Sequence, residues 1–199
     1  MKYVDSRLFA AVAFVVACAA SPVGATTLRR AGLENLVAQN RTIVVGKVLG
    51  VRSYWNKDRT LILSDVRVAT REVVKGDAKD KELTVTVMGG TVDEKTLLIV
   101  AGADLVPGRS YVLFVNEENL PGAPAVRTIR DHVQGVFEVV GSGSDVRAVS
   151  QATRHPLMKD SLGRTDAAGG PQGLPLETLV RSIRQIASRQ ASQPTQVPR

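Results

Sequence analysis

The chain has 199 residues and a net charge of +7, with 44% hydrophobic but only 4% aromatic residues. That hydrophobic content excludes a chain disordered throughout, and the length suits one domain whose core is mostly Val, Leu and Ile. A single cysteine, Cys18, excludes a disulfide framework, and the charge favours acidic partners such as nucleic acid, anionic lipid headgroups or an acidic protein.

The N-terminus reads as a targeting segment. Lys2 and Arg7 precede the apolar run "LFAAVAFVVACAA", which is too short to span a bilayer comfortably and leads into Pro22. "VGA" (23–25) is a small-x-small cleavage site, so residues 1–25 form a signal peptide and the mature chain begins at Thr26. The expected location is periplasmic or secreted, with no transmembrane helix after signal removal. The run Val15-Val16-Ala17-Cys18 also resembles a lipoprotein box. Its alternative outcome is a protein lipid-anchored through Cys18. Cleavage before Thr26 leaves no cysteine, hence no thiolate for catalysis or zinc.

Residues 28–39, "LRRAGLENLVAQ", space Leu28, Leu33, Leu36 and Val37 as a short helix that Thr27 caps. The period then changes. "TIVVGKVLGVRSYW" (42–55) and "RTLILSDVRVATREVVKG" (59–76) are β-branched strands, the second with Ile62, Val66 and Val68 on one face. They are joined by the turn "NKD" (56–58) as a hairpin. Gly46 and Gly50 inside the first strand indicate bulges or tight bends. After the polar turn 75–82, "LTVTV" (83–87) alternates, with Leu83, Val85 and Val87 inward and Thr84 and Thr86 outward. "KTLLIVAG" (95–102) and "RSYVLFVNEEN" (109–119) are further strands separated by Pro107-Gly108. "AVRTIR" (125–130), "HVQGVFEVVGSGS" (132–144) and "DVRAV" (145–149) follow, the last two paired across "GSGS".

Residues 151–173 read as loop. Helix 174–191 then carries Leu176, Leu179, Val180, Ile183 and Ile186 as an apolar stripe, with Pro175 in its first turn and Arg181, Arg184 and Arg189 largely off the stripe. Residues 192–199 form a disordered end. The fold expected for 26–150 is mainly β: a small OB-like antiparallel barrel, flanked by a short N-terminal helix and a C-terminal amphipathic helix.

The segments "RTIVVGKVLGVRS", "VRVATREVVKGD", "LTVTVMGGTV", "PGRSYVLFV" and "VQGVFEVV" resemble a family of uncharacterised exported bacterial proteins over about residues 33–140. Their layout is similar to the OB barrel of netrin-like and metalloproteinase-inhibitor modules. The resemblance implies fold and export. It does not imply inhibition, because those inhibitors reach the target's zinc through an N-terminal cysteine. Here Cys18 is either removed or lipidated.

The stretch "MGGTVDEKT" (88–96) imitates a phosphate loop, with Lys95-Thr96 at its end. Counting from Gly89, however, the second required glycine falls on Glu94, whose carboxylate repels phosphate, and the following residues are strand-like. The glycines fit a turn instead, so no nucleotide is expected. Asp131-His132 with a distant serine is the best case for a hydrolase. Adjacent strand residues point to opposite faces, and no G-x-S-x-G elbow is present, so His132 reads as a strand-edge residue. His155 lies in a loop, too isolated for a metal site. Asp77, Asp80, Asp93 and Glu94 match no calcium loop. No metal or cofactor is expected.

Stacking of single-stranded nucleic acid needs exposed aromatics. Tyr111 and Phe137 sit in apolar strands and read as core. Tyr54 and Trp55, beside Arg52, Lys57 and Arg59 at the hairpin tip, form the one aromatic-basic cluster. It is the expected partner-binding surface, because Trp, Tyr and Arg dominate binding hot spots. The expected function is an exported, non-enzymatic binding module for a protein or cell-envelope component. The alternatives are a Ser/His/Asp hydrolase and a single-stranded nucleic-acid binder.

Overall fold

A computed structural model describes residues 31–78, 80–130, 132–154 and 172–192. The signal segment, Cys18, Asp131 and His155 lie outside the described residues. The chain folds as helix α1 (Leu33–Gln39), strands β1 (Thr42–Trp55), β2 (Ile62–Lys75), β3 (Glu82–Met88), β4 (Gly90–Val92), β5 (Lys95–Leu97), β6 (Ser110–Leu120), β7 (Ala123–Thr128), β8 (Val136–Val140), β9 (Arg147–Ser150) and β10 (Leu174–Pro175), and helix α2 (Leu176–Ser192). The protein is mainly β, with one antiparallel sheet ordered β10-β9-β8-β6-β1-β2-β3, β7 paired onto β6, and a separate β4–β5 hairpin. The path is open: its end strands β3 and β10 pair with no further strand in the sheet. The sheet curls enough to lay β7 beside β3.

The start of β1 explains the layering. Ile43 and Val45 point to one side, into a core shared with Leu36, Val112, Phe137 and the Leu179, Val180, Ile183 and Ile186 stripe of α2. Val44 and Val48 point to the other side, into a core with Val66, Val85, Tyr111 and Leu113. The uninterrupted "IVV" run is the signature of a strand buried on both faces. Tyr111 and Phe137 are each 1% exposed, as core residues should be.

The pairing of β1 with β2 shifts register at Ile43/Val44, Val45/Gly46 and Val48/Gly50, where the glycines allow the strand to bend. A Cβ on Gly46 would lie 2.8 Å from the Ala69 carbonyl oxygen and collide with the Val68 side chain. Buried amides tie α1 to the sheet. Asn116 Oδ1 accepts from Arg41 N at 2.8 Å, and Asn116 Nδ2 donates to Gln39 O at 2.8 Å. Lys75 Nζ donates to Val37 O and, at 2.8 Å, to Asn40 O, satisfying carbonyls at the helix end. Burial holds its ammonium below the usual lysine range.

Several expectations need correction. Helix α1 starts at Leu33, because Gly32 is extended and serves as its N-cap. The strand expected over 95–102 stops at Leu97; beyond it the chain turns, with Gly102 N bonded to Ile99 O. "HVQG" is a 3₁₀ turn, not strand. Residues 151–154, expected as loop, form a second 3₁₀ turn. Leu174 and Pro175 pair with β9 instead of opening the helix, so α2 runs Leu176–Ser192. Thr86, expected outward and solvated, is buried because its hydroxyl serves Asp65.

Gly46→Ala is expected to lower the unfolding free energy by about 1–3 kcal/mol through overpacking. Gly50→Ala, whose nearest neighbour is Arg67 Nη2 at 3.9 Å, should be neutral or gain up to about 1 kcal/mol. Urea titration of both variants checks the contrast; equal effects would refute the close approach at Gly46.

Candidate functional site at the hairpin tip

Strands β1 and β2 remain paired out to Trp55 and Ile62, whereas β6 borders β1 only over Thr42–Lys47. Past Lys47 the far half of β1 is flanked in the sheet by β2, which keeps β3 on its other side over Leu63–Ala69; this far half of the hairpin forms an arm at the end of the sheet. Its loop, residues 56–61, is organised by one side chain. Asn56 is only 2% exposed. Its Oδ1 accepts from Thr60 N at 2.8 Å and Leu61 N at 3.0 Å. Its Nδ2 donates to Thr60 Oγ1 and to Pro121 O, both at 3.1 Å. The second of these bonds docks the loop on the β6–β7 turn. Arg59 takes a left-handed φ of 54°, with its N–H donating to Asn56 O at 2.9 Å. Lys57, Asp58, Arg59 and Thr60 are left exposed on a loop whose backbone is held.

Of the five residues expected to cluster, Arg52, Tyr54 and Trp55 lie on β1 and divide between its two faces, as strand alternation requires, whereas Lys57 and Arg59 lie in the loop. Tyr54 shares a face with Asp65, its hydroxyl donating to Asp65 Oδ1 at 3.1 Å; Thr86 Oγ1 donates to the same oxygen at 2.8 Å. Arg52 stands opposite Asp65 in the ladder. Burial, and then the Asp65 charge, push the Tyr54 hydroxyl above the usual tyrosine range. Trp55 faces the other way, half-buried, with Lys95 Nζ 5.8 Å from its ring centroid.

Lys95 comes from the stretch that imitates a phosphate loop. That stretch is the β4–β5 hairpin, turning at Asp93 (φ 53°) and Glu94. Gly89 and Gly90 have φ of 100° and 131°, which only glycine adopts readily. Ser53 and Ser64 share a 2.9 Å bond under Gly90, and Ser64 Oγ donates to Gly89 O at 2.7 Å. Any side chain on Gly90 would strike both serines. The glycines thus seat this hairpin against the arm, and no helix N-terminus follows them.

Past β5 the chain exposes Leu98 by 85% and Val100 by 70%, while Ile99 between them packs toward Gly89 and Gly102. Reading "LLIV" as a strand concealed this apolar pair; period-2 alternation within it was the only available signal.

His132 opens a 3₁₀ turn at φ 51° and borders a cleft of about 220 Å³ with Met88, Ile99, Thr128 and Arg130. No serine among the described residues lines that cleft. Among the described residues, His132 bonds to no Ser or Asp side chain, and no three His, Cys, Asp or Glu side chains gather as metal ligands. Asp77, Asp80, Asp93 and Glu94 are exposed turn residues.

No protein-family model matches this chain, and no curated protein matches it. Among the described residues, no helix is long and apolar enough to cross a membrane.

The Tyr54 shift has a sign that can be tested. Its folded-state pKa lies above the unfolded value of 10.0, so the unfolded chain ionises first as pH rises. Stability is fully present below that pH and is lost as pH climbs through the folded-state pKa. Lys75, shifted downward, acts in the opposite sense, so Tyr54→Phe is compared directly with wild type. The variant is expected to lose stability less steeply under alkaline conditions in urea titrations. An unchanged alkaline slope would show that Tyr54 does not titrate as its contacts require.

Proposed function

We propose that this chain is an exported binding module without catalysis of its own, and that the arm's end grips a protein or cell-envelope component. Export rests on the signal-like residues 1–25. The fold reading is a half-open barrel of OB type, supported by the bends of β1 at Gly46 and Gly50 and by the approach of β7 to β3.

The observation that carries the proposal is a stiff, basic tip beside a half-buried Trp55, its loop backbone held by Asn56. Folding has no use for the water-exposed surfaces of Leu98 and Val100, and such surfaces favour a partner that covers them. Because Asn56 already fixes the loop, ordering Lys57 and Arg59 on binding costs little backbone entropy. Trp55 adds a partly covered aromatic body to the same arm. Nucleic-acid stacking is less favoured: Tyr54 and Trp55 face apart, and the Tyr54 hydroxyl is engaged by a carboxylate.

The test is capture from envelope extract on immobilised wild-type protein, Trp55→Ala and a Lys57→Glu/Arg59→Glu double variant, with retained species identified by mass spectrometry. The expected result is a species retained by wild type and weakened about thirtyfold by either variant, as for a hot spot worth about 2 kcal/mol. Retention of every captured species unchanged by both variants would refute the tip.

A further inference from the structure

A second concavity lies among residues outside the arm. It is an open groove of about 1400 Å³ between α2, the end of β2 and the β8–β9 turn. Four arginines line it: Arg71 from β2, and Arg181, Arg184 and Arg189 from α2. The helix makes this row by periodicity. Its Leu179, Val180, Ile183 and Ile186 stripe is buried, which turns residues 181, 184, 185, 188 and 189 outward.

These arginines are not equivalent. Arg184 donates to Glu72 Oε1 at 2.6 Å, and Arg189 lies 3.6 Å from Glu34 Oε1. Arg71 and Arg181 are exposed and have no ion pair among the described residues. Two guanidiniums therefore face a shared groove with their bidentate donors unspent.

We propose that this groove binds an acidic, extended peptide segment of a partner protein, with Arg71 and Arg181 taking its carboxylates. Three features of the lining favour a peptide over a phosphate polymer. Glu72 and Glu177 stand among the arginines and oppose a uniform, dense negative charge. Val146, Pro175 and Leu176 contribute apolar surface that suits side chains alternating with the carboxylates. Among the described residues, no aromatic side chain lines the groove to offer bases a stacking surface. Residues 181 to 189 span about 12 Å of helix. Over that length an extended peptide presents same-side residues about 7 Å apart, so a segment lying along α2 keeps several side chains in the groove beside Arg181. The proposal is independent of the tip.

The test is fluorescence anisotropy of the purified full chain with a labelled peptide alternating Glu and Leu. The controls are the same peptide with Gln for Glu, and labelled polyphosphate. The Glu peptide is expected to bind, to weaken as salt is raised, and to lose about tenfold or more in affinity in Arg71→Ala/Arg181→Ala. Both side chains are exposed, so circular dichroism should show the variant folded. Trp55→Ala should bind this peptide as wild type does, which separates failure here from failure at the tip. No binding at low salt, equal binding of the Gln peptide, tighter binding of polyphosphate, or indifference to the double substitution would each overturn the proposal. So would a finding by sedimentation that a second copy of the chain occupies the groove.

Discussion

Everything in this molecule is arranged around a strand that must be dry on both sides. Residues 43–48 of β1 send Ile43 and Val45 toward the helices and Val44 and Val48 toward the curled side of the sheet. Helix α2 is needed because one face would otherwise present Ile43, Val45, Val112 and Phe114 to water. The curl is needed because the opposite face would do the same with Val44, Val48 and Leu113. A strand serving two cores cannot stay flat, so it bends where glycine lets another backbone come close. Past Val48 the double burial ends, and the same strand continues as an arm with Leu49 and Val51 each 42% exposed. The arm therefore follows from the core: it is the part of β1 beyond the doubly buried stretch, with the β4–β5 hairpin seated against it.

Polar side chains hold what apolar packing cannot reach. Asn116 and Lys75 fasten α1 of seven residues, too short to be stable alone, to the strands beneath it. Asn56 does the same for the tip, spending its amide on two backbone N–H groups, a hydroxyl and the facing turn. A buried amide with its bonds made specifies one loop geometry, and losing such bonds is costly. The tip's charged residues then ride on a fixed frame, and past β5 Leu98 and Val100 stay wet. The opposite sheet face carries a different chemistry, with arginines from α2 and β2 around a groove.

Much of the scaffold was legible in the chain. The hairpin 42–75, the alternation of "LTVTV", the glycine-broken β8–β9 hairpin and the stripe of α2 all follow from period and turn chemistry. What escaped was set by distant partners. Thr86 reads as a solvated strand residue because its partner Asp65 lies 21 positions away. "LLIV" reads as strand because its composition is that of a strand; the short β4–β5 hairpin, seated by Gly89 and Gly90, ends the pairing after Leu97. Residues 54 and 55 read as one cluster because sequence proximity conceals the alternation that sends them to opposite faces. The arginine groove was invisible for a similar reason: Arg71 and Arg181 are 110 positions apart in the chain, and only the packing of α2 brings them to one surface.

The tip's loop is held by Asn56 before any partner arrives. Native-state amide exchange measures this directly. The Thr60 and Leu61 amides, both bonded to Asn56 Oδ1, are expected to exchange far more slowly than those of Lys57 and Asp58 in the same loop, and to lose that protection in Asn56→Ala. Exchange of Thr60 and Leu61 as fast as Lys57 and Asp58 in the wild-type protein would contradict a preformed tip.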